Sequence, residues 1–247
     1  KETPQPLKDQ FILMQNILKE IGVAQFMDKK YEADDFLGSL TKQFEKEIPI
    51  YLYTKDQDML QLVSEYTRLW LITSKSDDLR CKYNINDKSF NVPKGAFEFS
   101  PIYVEEEYGL TPIQIIDYKS LVGDSSDNIL GVKGVGEKVA IPLLKEYGTI
   151  ENLYDTIEDL NKNEEEALKK FFKEDLGIKR SPLSYLLKKS DTELVGKKSA
   201  FLSKQLATIK TDIPEIQEEV LDNLLLNINE NAKVKIFEDL EMGSLIS

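Results

Sequence analysis

The chain contains no histidine and a single cysteine, Cys81. The first absence removes imidazole acid–base catalysis, Ser-His-Asp triads and His-ligated zinc. The second removes a disulfide framework and any Cys-rich metal site. Cys81 lies in a polar stretch and has no imidazole to activate it as a nucleophile. No apolar run approaches the roughly 20 residues of a membrane span. The first residues, KETPQPLKDQ, are polar and do not read as a signal sequence. The expected location is therefore the cytoplasm, with no membrane partner. What remains for catalysis is carboxylate, alone or with hard metal ions.

Carboxylate is plentiful. The 247 residues carry 44 Asp and Glu against 32 Lys and Arg, a net charge of −12. A polyanionic partner would be repelled by such a chain if the charge were evenly spread. It is not: Lys169 to Lys210 holds eleven Lys and Arg and four acids, a local excess of seven positive charges. An acidic site beside a basic phosphate-binding face has this asymmetry, although a solvated helical surface would share it. The hydrophobic fraction of 41% and charged fraction of 31% suit a soluble globular chain of one large domain or two close subdomains.

Periodicity divides the chain in two. Leu7, Phe11, Met14, Leu18 and Ile21 are spaced as one face of a helix over 5–21, stopped at Gly22, and helix signals resume over 33–45. Ile48–Thr54 and Arg68–Thr73 read as strands rich in β-formers, with a helix opening at Asp56 between them. Residues 75–100 are polar and turn-rich and read as a hairpin or long loop. Strand–helix–strand order predicts an α/β fold with a mostly parallel sheet and flanking helices. From residue 101 the pattern is helical. Thr111-Pro-Ile-Gln114 is a capping box with proline at the first helical position. A Gly-rich turn follows at 131–136, then a helix from Glu137 to Tyr147-Gly148. The expected division is an α/β catalytic part over 1–120 and a helical part over 121–247.

Three acidic clusters stand at element boundaries: Glu32, Asp34 and Asp35; Asp56 and Asp58; Asp124 and Asp127. Each alone is explained by helix capping or by a turn. Together they point to a site. Asp56 and Asp58 follow a strand directly, where α/β sheets build their sites. Asp124 and Asp127 are three apart, so one helical turn would face them alike. Seven carboxylates in one cleft need hard cations, and oxygen-only ligands suit Mg²⁺ or Mn²⁺. Two such ions about 4 Å apart activate water and stabilise the leaving oxygen in phosphodiester hydrolysis without a protein base. The Gly131–Lys138 segment has the form of a helix–hairpin–helix turn, whose N–H groups and following helix N-terminus bind a phosphate without reading sequence.

The run Leu121–Ala140 (LVGDSSDNILGVKGVGEKVA) resembles the helix-three-turn-helix signature of the 5′-nuclease domains of bacterial DNA polymerase I. Tyr31–Gly38 (YEADDFLG) and Thr54–Leu62 (TKDQDMLQL) resemble its two other acidic motifs. Tyr108–Pro112, Leu206–Asp212 and the ending Phe237–Leu245 also fit, the last resembling the join to a polymerase domain. The resemblance covers nearly the whole chain in the right order. It implies a structure-specific 5′→3′ exonuclease or flap endonuclease that removes flaps or RNA primers in replication and repair. Glu32, Asp34, Asp35, Asp56, Asp58, Asp124 and Asp127 would then ligate metal. Asp34, Asp56, Asp58, Asp124 and Asp127 would be the catalytic core of that set. Gly131, Lys133, Gly134, Gly136 and Lys138 would grip DNA, with a monovalent cation at the turn. Expected partners are a 5′-flap or nicked duplex, an RNA–DNA primer and a polymerase domain in the parent chain.

Departures are visible too. Family members usually begin with a strand carrying a further ligand Asp, then a helical arch, and neither precedes Lys1. A duplex-binding module that no longer cleaves is therefore the alternative, with an RNA-directed acidic-site nuclease the third reading. Leu130 and Lys133 stand where prolines are common, Pro142 falls inside a helix, and residues 160–200 form a longer stretch than usual with no assigned role.

Overall fold

The computed structural model describes residues 3–85 and 92–246. Its sheet has three strands in the order β1 (Ile50–Thr54), β2 (Thr67–Ile72), β3 (Ala96–Phe99). β1 and β2 run parallel, and β2 and β3 antiparallel, so the described sheet has one pairing of each kind. Leu52 pairs with Leu69, and Leu69 and Leu71 pair with Phe99 and Phe97. These five side chains are almost fully buried and make the centre of the core.

The 75–100 segment, expected as a hairpin or loop, instead contains helix α3 (Ser76–Lys82) and strand β3; residues 86–91 lie outside the described ones. Four residues, AFEF, flanked by Lys94-Gly95 and Ser100-Pro101, are too short a signal to stand above their polar surroundings. The helix expected after Asp56 is a 3₁₀ helix over Gln57–Leu62.

Helices surround the sheet. α1 (Gln5–Glu20) and α2 (Ala33–Phe44) precede it. After β3 come α4 (Pro101–Tyr108), α5 (Gln114–Val122), α6 (Glu137–Tyr147), α7 (Ile150–Ile157), α8 (Lys162–Glu174), α9 (Leu183–Leu186) and α10 (Gly196–Ala207). Three more close the chain: α11 (Pro214–Gln217), α12 (Leu221–Leu224) and α13 (Glu230–Asp239). Of the stripe expected to bury α1, Ile21 is buried but Leu7, Phe11 and Met14 are exposed. α1 packs against α13, and Leu7, Phe11 and Met14 stay exposed.

α5 is the central strut, and it crosses residue 120. It packs against the 3₁₀ helix on one side and against α6 and α10 on the other. Only half of the expected capping box forms: Gln114 Oε1 accepts the Thr111 N–H at 3.0 Å, but α5 begins at Gln114 rather than at Pro112 and has no side-chain cap. The Gln114 amide also donates to the carbonyls of Leu144 (2.8 Å) and Gly148 (3.0 Å), fixing the end of α6. Below them, Lys204 Nζ of α10 donates to Asp117 of α5 at 2.7 Å and Glu151 of α7 at 2.6 Å. Burial raises the Asp117 carboxyl above the usual range, and the Lys204 ammonium opposes that rise.

Candidate metal centre and nucleic-acid interface

The β1 chain leaves the sheet at Thr54 and turns at once. Asp56 Oδ1 accepts the N–H of Asp58 at 2.9 Å, capping the 3₁₀ helix and aiming the two carboxylates along the end of the strand. Asp34 lies in the first turn of α2. Its carboxyl is pushed up to about 6, first by burial and then by the negative charges of Asp56, Asp58, Glu32 and Asp35. Two of the three acidic clusters therefore share one field.

The third cluster joins through a turn rather than a helix. Asp124 and Ile129 exchange backbone bonds of 2.8 Å in each direction, closing a loop that carries Ser125 to Asn128 at its tip. The base of that loop is a glycine-on-glycine crossing. A Cβ on Gly131 (φ 62°) would lie 2.3 Å from the Gly123 nitrogen, so a side chain there has no room. The crossing is held from α10, where Ser203 Oγ accepts the Gly131 N–H at 3.0 Å and Ser199 Oγ donates to the Gly131 carbonyl. Asp58, Asp124 and Asp127 meet as a result, each offering a carboxylate oxygen within 4.8 Å of the others. All donors are hard oxygens, a set that fits a small divalent cation.

Lys119 of α5 stands inside this cluster. Its ammonium donates to Asp58 and, at 2.7 Å, to Asp124 Oδ2. Burial disfavours the Lys119 charge, but the two carboxylates outweigh it and raise its pKa. Burial likewise pushes the Asp58 carboxyl up, against the pull of Lys119. Asp124 is pushed the same way by burial, yet Lys119 and Ser126 overcome it and hold the carboxyl at about 2. The cluster is thus a set of carboxylates with one fixed counter-charge already in it.

Beyond the crossing, Gly134 (φ 94°) is the close-approach point of the turn: a Cβ there would lie 2.7 Å from the Tyr185 ring. Gly136 precedes α6 in extended backbone with open space around it. Lys133 and Lys138 are exposed beside it.

Comparison with known proteins settles the lineage. One family model, the N-terminal resolvase-like domain of 5′-3′ exonucleases, matches residues 1–91. Another, the C-terminal SAM fold of 5′-3′ exonucleases, matches residues 110–232. The chain belongs to the 5′-3′ exonuclease family. A 5′-3′ exonuclease of Halalkalibacterium halodurans is 36% identical over 231 residues, covering 91% of this chain and 61% of that protein. DNA polymerase I of Bacillus subtilis is 34% identical over 248 residues, covering 100% of this chain and 23% of that protein. The chain thus spans about three fifths of the first relative and about a quarter of the second. A solved structure of the bacteriophage T5 flap endonuclease with DNA and metal ions has the same fold. It is 17% identical, with a TM-score of 0.52 over 95% of this chain and 67% of that one.

Within this family member the seven expected acids do not hold equal places. Asp58, Asp124 and Asp127 converge, and Asp34 and Asp56 share their field. Asp35 is engaged elsewhere: Oδ1 accepts the Lys210 N–H at 2.9 Å and Oδ2 the Glu32 N–H at 3.3 Å. It clamps the 207–213 segment onto α2, while Gln61 ties the same segment to the 3₁₀ helix through Ala207 and Ile209. Glu32 is exposed at the helix tip. Of the expected DNA-binding residues, Gly131 is buried in the crossing, whereas Lys133, Gly134, Gly136 and Lys138 face outward. Lys119 escaped the sequence reading. The signal was there, a lysine on the helix that ends in Gly123-Asp124, but nothing in its neighbours distinguishes it from a surface residue.

Proposed function

We propose that this chain is the metal-dependent nuclease part of a structure-specific 5′→3′ exonuclease or flap endonuclease acting on DNA in the cytoplasm. The observation that carries the proposal is the meeting of Asp58, Asp124 and Asp127 at the strand end, within the field of Asp34 and Asp56, one short turn from a glycine-rich turn. In this reading Asp34, Asp56, Asp58, Asp124 and Asp127 hold two Mg²⁺ or Mn²⁺ ions, with Glu32 and Asp35 completing the acidic wall. Divalent ions held by these residues would supply a water of lowered pKa and charge stabilisation for the leaving oxygen of a phosphodiester. Lys119 spaces Asp58 from Asp124 and neutralises part of their charge, so the carboxylates remain together before any ion arrives. Lys133, Gly134, Gly136 and Lys138 hold the duplex through its backbone, with a monovalent cation at the turn, and place the junction over the acids. A flap or nicked duplex, or an RNA–DNA primer, is the substrate; the similarity to DNA polymerase I supports a polymerase domain as the partner within a longer parent chain.

One observation favours a second reading, a duplex-binding module that does not cleave: the Lys119 ammonium already bonds two of the three converging carboxylates. Cleavage of a 5′-flap substrate with Mg²⁺ or Mn²⁺, against an EDTA control, separates the two. Cutting at the junction supports the nuclease, and binding without cutting supports the module. In an active protein, Asp56→Asn with Asp58→Asn should abolish cleavage and leave DNA binding intact. Undiminished metal-dependent cutting by that double variant would remove the proposed site.

A further inference from the structure

The stretch 160–200 has a place in the fold that the acidic site does not use. Chain leaving α8 passes Gly177, returns as α9 and lies against the glycine-rich turn, leaving a cleft of about 440 Å³ between them. Lys138 of the turn side and Lys179 and Arg180 of the returning segment line this cleft, and no carboxylate does. In a chain of net charge −12 such a composition is selective. Elsewhere in the same basic stretch, Lys169, Lys170, Lys188, Lys197 and Lys204 each meet a carboxylate. Lys138, Lys179 and Arg180 make no ion pair among the described residues.

The segment is also held in place. The Ile178 N–H donates to the Phe172 carbonyl at 2.8 Å, and Ile178, Leu183 and Leu186 are buried on either side of the two cations. Tyr185 rests its ring on Gly134, a contact that only a residue without a side chain permits. The cations are therefore presented by a braced loop at a fixed position beside the turn, which lowers the ordering cost of engaging a ligand.

We propose that this cleft takes a backbone phosphate of the DNA duplex, so that Lys179 and Arg180 extend the grip of the turn to a further phosphate. The proposal rests on the reading of the turn as a duplex-binding element. Its ligand chemistry is a phosphodiester oxygen, met by an ammonium and a guanidinium without base readout.

The test is binding of the intact protein to a fluorescent 5′-flap duplex in EDTA, titrated over a range of KCl. Each lost phosphate contact lowers the slope of log K against log salt by about 0.9, or roughly tenfold in affinity at 0.1 M. Lys179→Ala with Arg180→Ala should flatten the slope by one to two such units with an unchanged melting temperature. Lys42→Ala with Lys46→Ala, in the last turn of α2 and just past its end, should leave it alone. An equal loss in that control would assign the effect to bulk charge and overturn the cleft. An unchanged slope in the Lys179/Arg180 variant, with a flattened one in Lys138→Ala, would overturn the cleft and spare the turn. No change in either would overturn both. Displacement by inorganic phosphate beyond chloride at equal ionic strength, lost in the double variant, would make the cleft a free-phosphate site and overturn the duplex reading.

Discussion

Lys119 is where structure and chemistry are most tightly bound together. A buried ammonium is costly unless it is paired, and here it is paired twice, with carboxylates that would otherwise repel each other. Lys119→Met keeps the aliphatic stem and removes the charge. In EDTA it should lower stability by roughly 1–3 kcal/mol, the cost of stranding partly buried hydrogen-bonded charges. Added Mg²⁺ should recover more of that loss in the variant than it adds to the parent, because the cation then supplies the missing counter-charge. Urea midpoints with and without Mg²⁺ measure both quantities, and equal gains in the two proteins would refute the account. A pH effect follows from the same contact. Asp124 is held at about 2 against an ordinary 3.8, so it contributes stability above that ordinary value. The contribution is lost as pH falls through about 2. Lys119→Met should flatten this acid limb of the stability curve.

At the scale of elements, the loop from Gly123 to Gly131 decides whether Asp124 and Asp127 reach Asp58. Gly131→Ala would force a Cβ into the Gly123 backbone at a left-handed φ, and should cost more than about 2 kcal/mol. Gly136→Ala is its contrast. The residue is extended with open space around it, so stability should hold while duplex affinity falls if a phosphate approaches there. Denaturation and binding assays on the pair separate a folding glycine from a contact glycine, a distinction that spacing alone does not make. Legibility varied for the same kind of reason. α6 appears over the residues its sequence indicates because Gly136 and Gly148 punctuate both ends and local rules suffice. β3 was hidden because its identity depends on pairing with β2, which a four-residue run does not reveal. The acids were legible as clusters, but the loop geometry that joins the third to the others depends on the crossing at Gly131 and on Ser199 and Ser203 some seventy residues later. Asp35 looked like its neighbours until the Lys210 backbone was seen to occupy it.

Across the whole molecule, polar chemistry gathers at one end of the sheet while its flank stays apolar. β1 lies at the end of the described sheet, with Tyr51 and Tyr53 about half exposed and Ile48 exposed beside them. Next to that edge is an apolar groove of about 410 Å³ between α2, β1 and the Leu221–Leu226 segment, where Leu225 and Leu226 are two-thirds exposed. Among the described residues no strand pairs with this edge, and an unpaired edge strand offers free N–H and C=O groups that the apolar groove adds a hydrophobic drive to pair. No lysine or proline blunts the strand itself, IYLYT. The 247 residues taken by themselves should therefore self-associate with rising concentration, in spite of a net charge that opposes contact. Tyr51→Lys with Tyr53→Lys places two charges on exposed positions without touching the Leu52 core or the acidic site. Sedimentation at increasing concentration should show the association constant of the double variant reduced roughly tenfold or more, the effect of about 1.4 kcal/mol. An unchanged constant would mean that the exposed face of α1, where Phe11 and Met14 are more than half exposed, carries the contact instead of the strand.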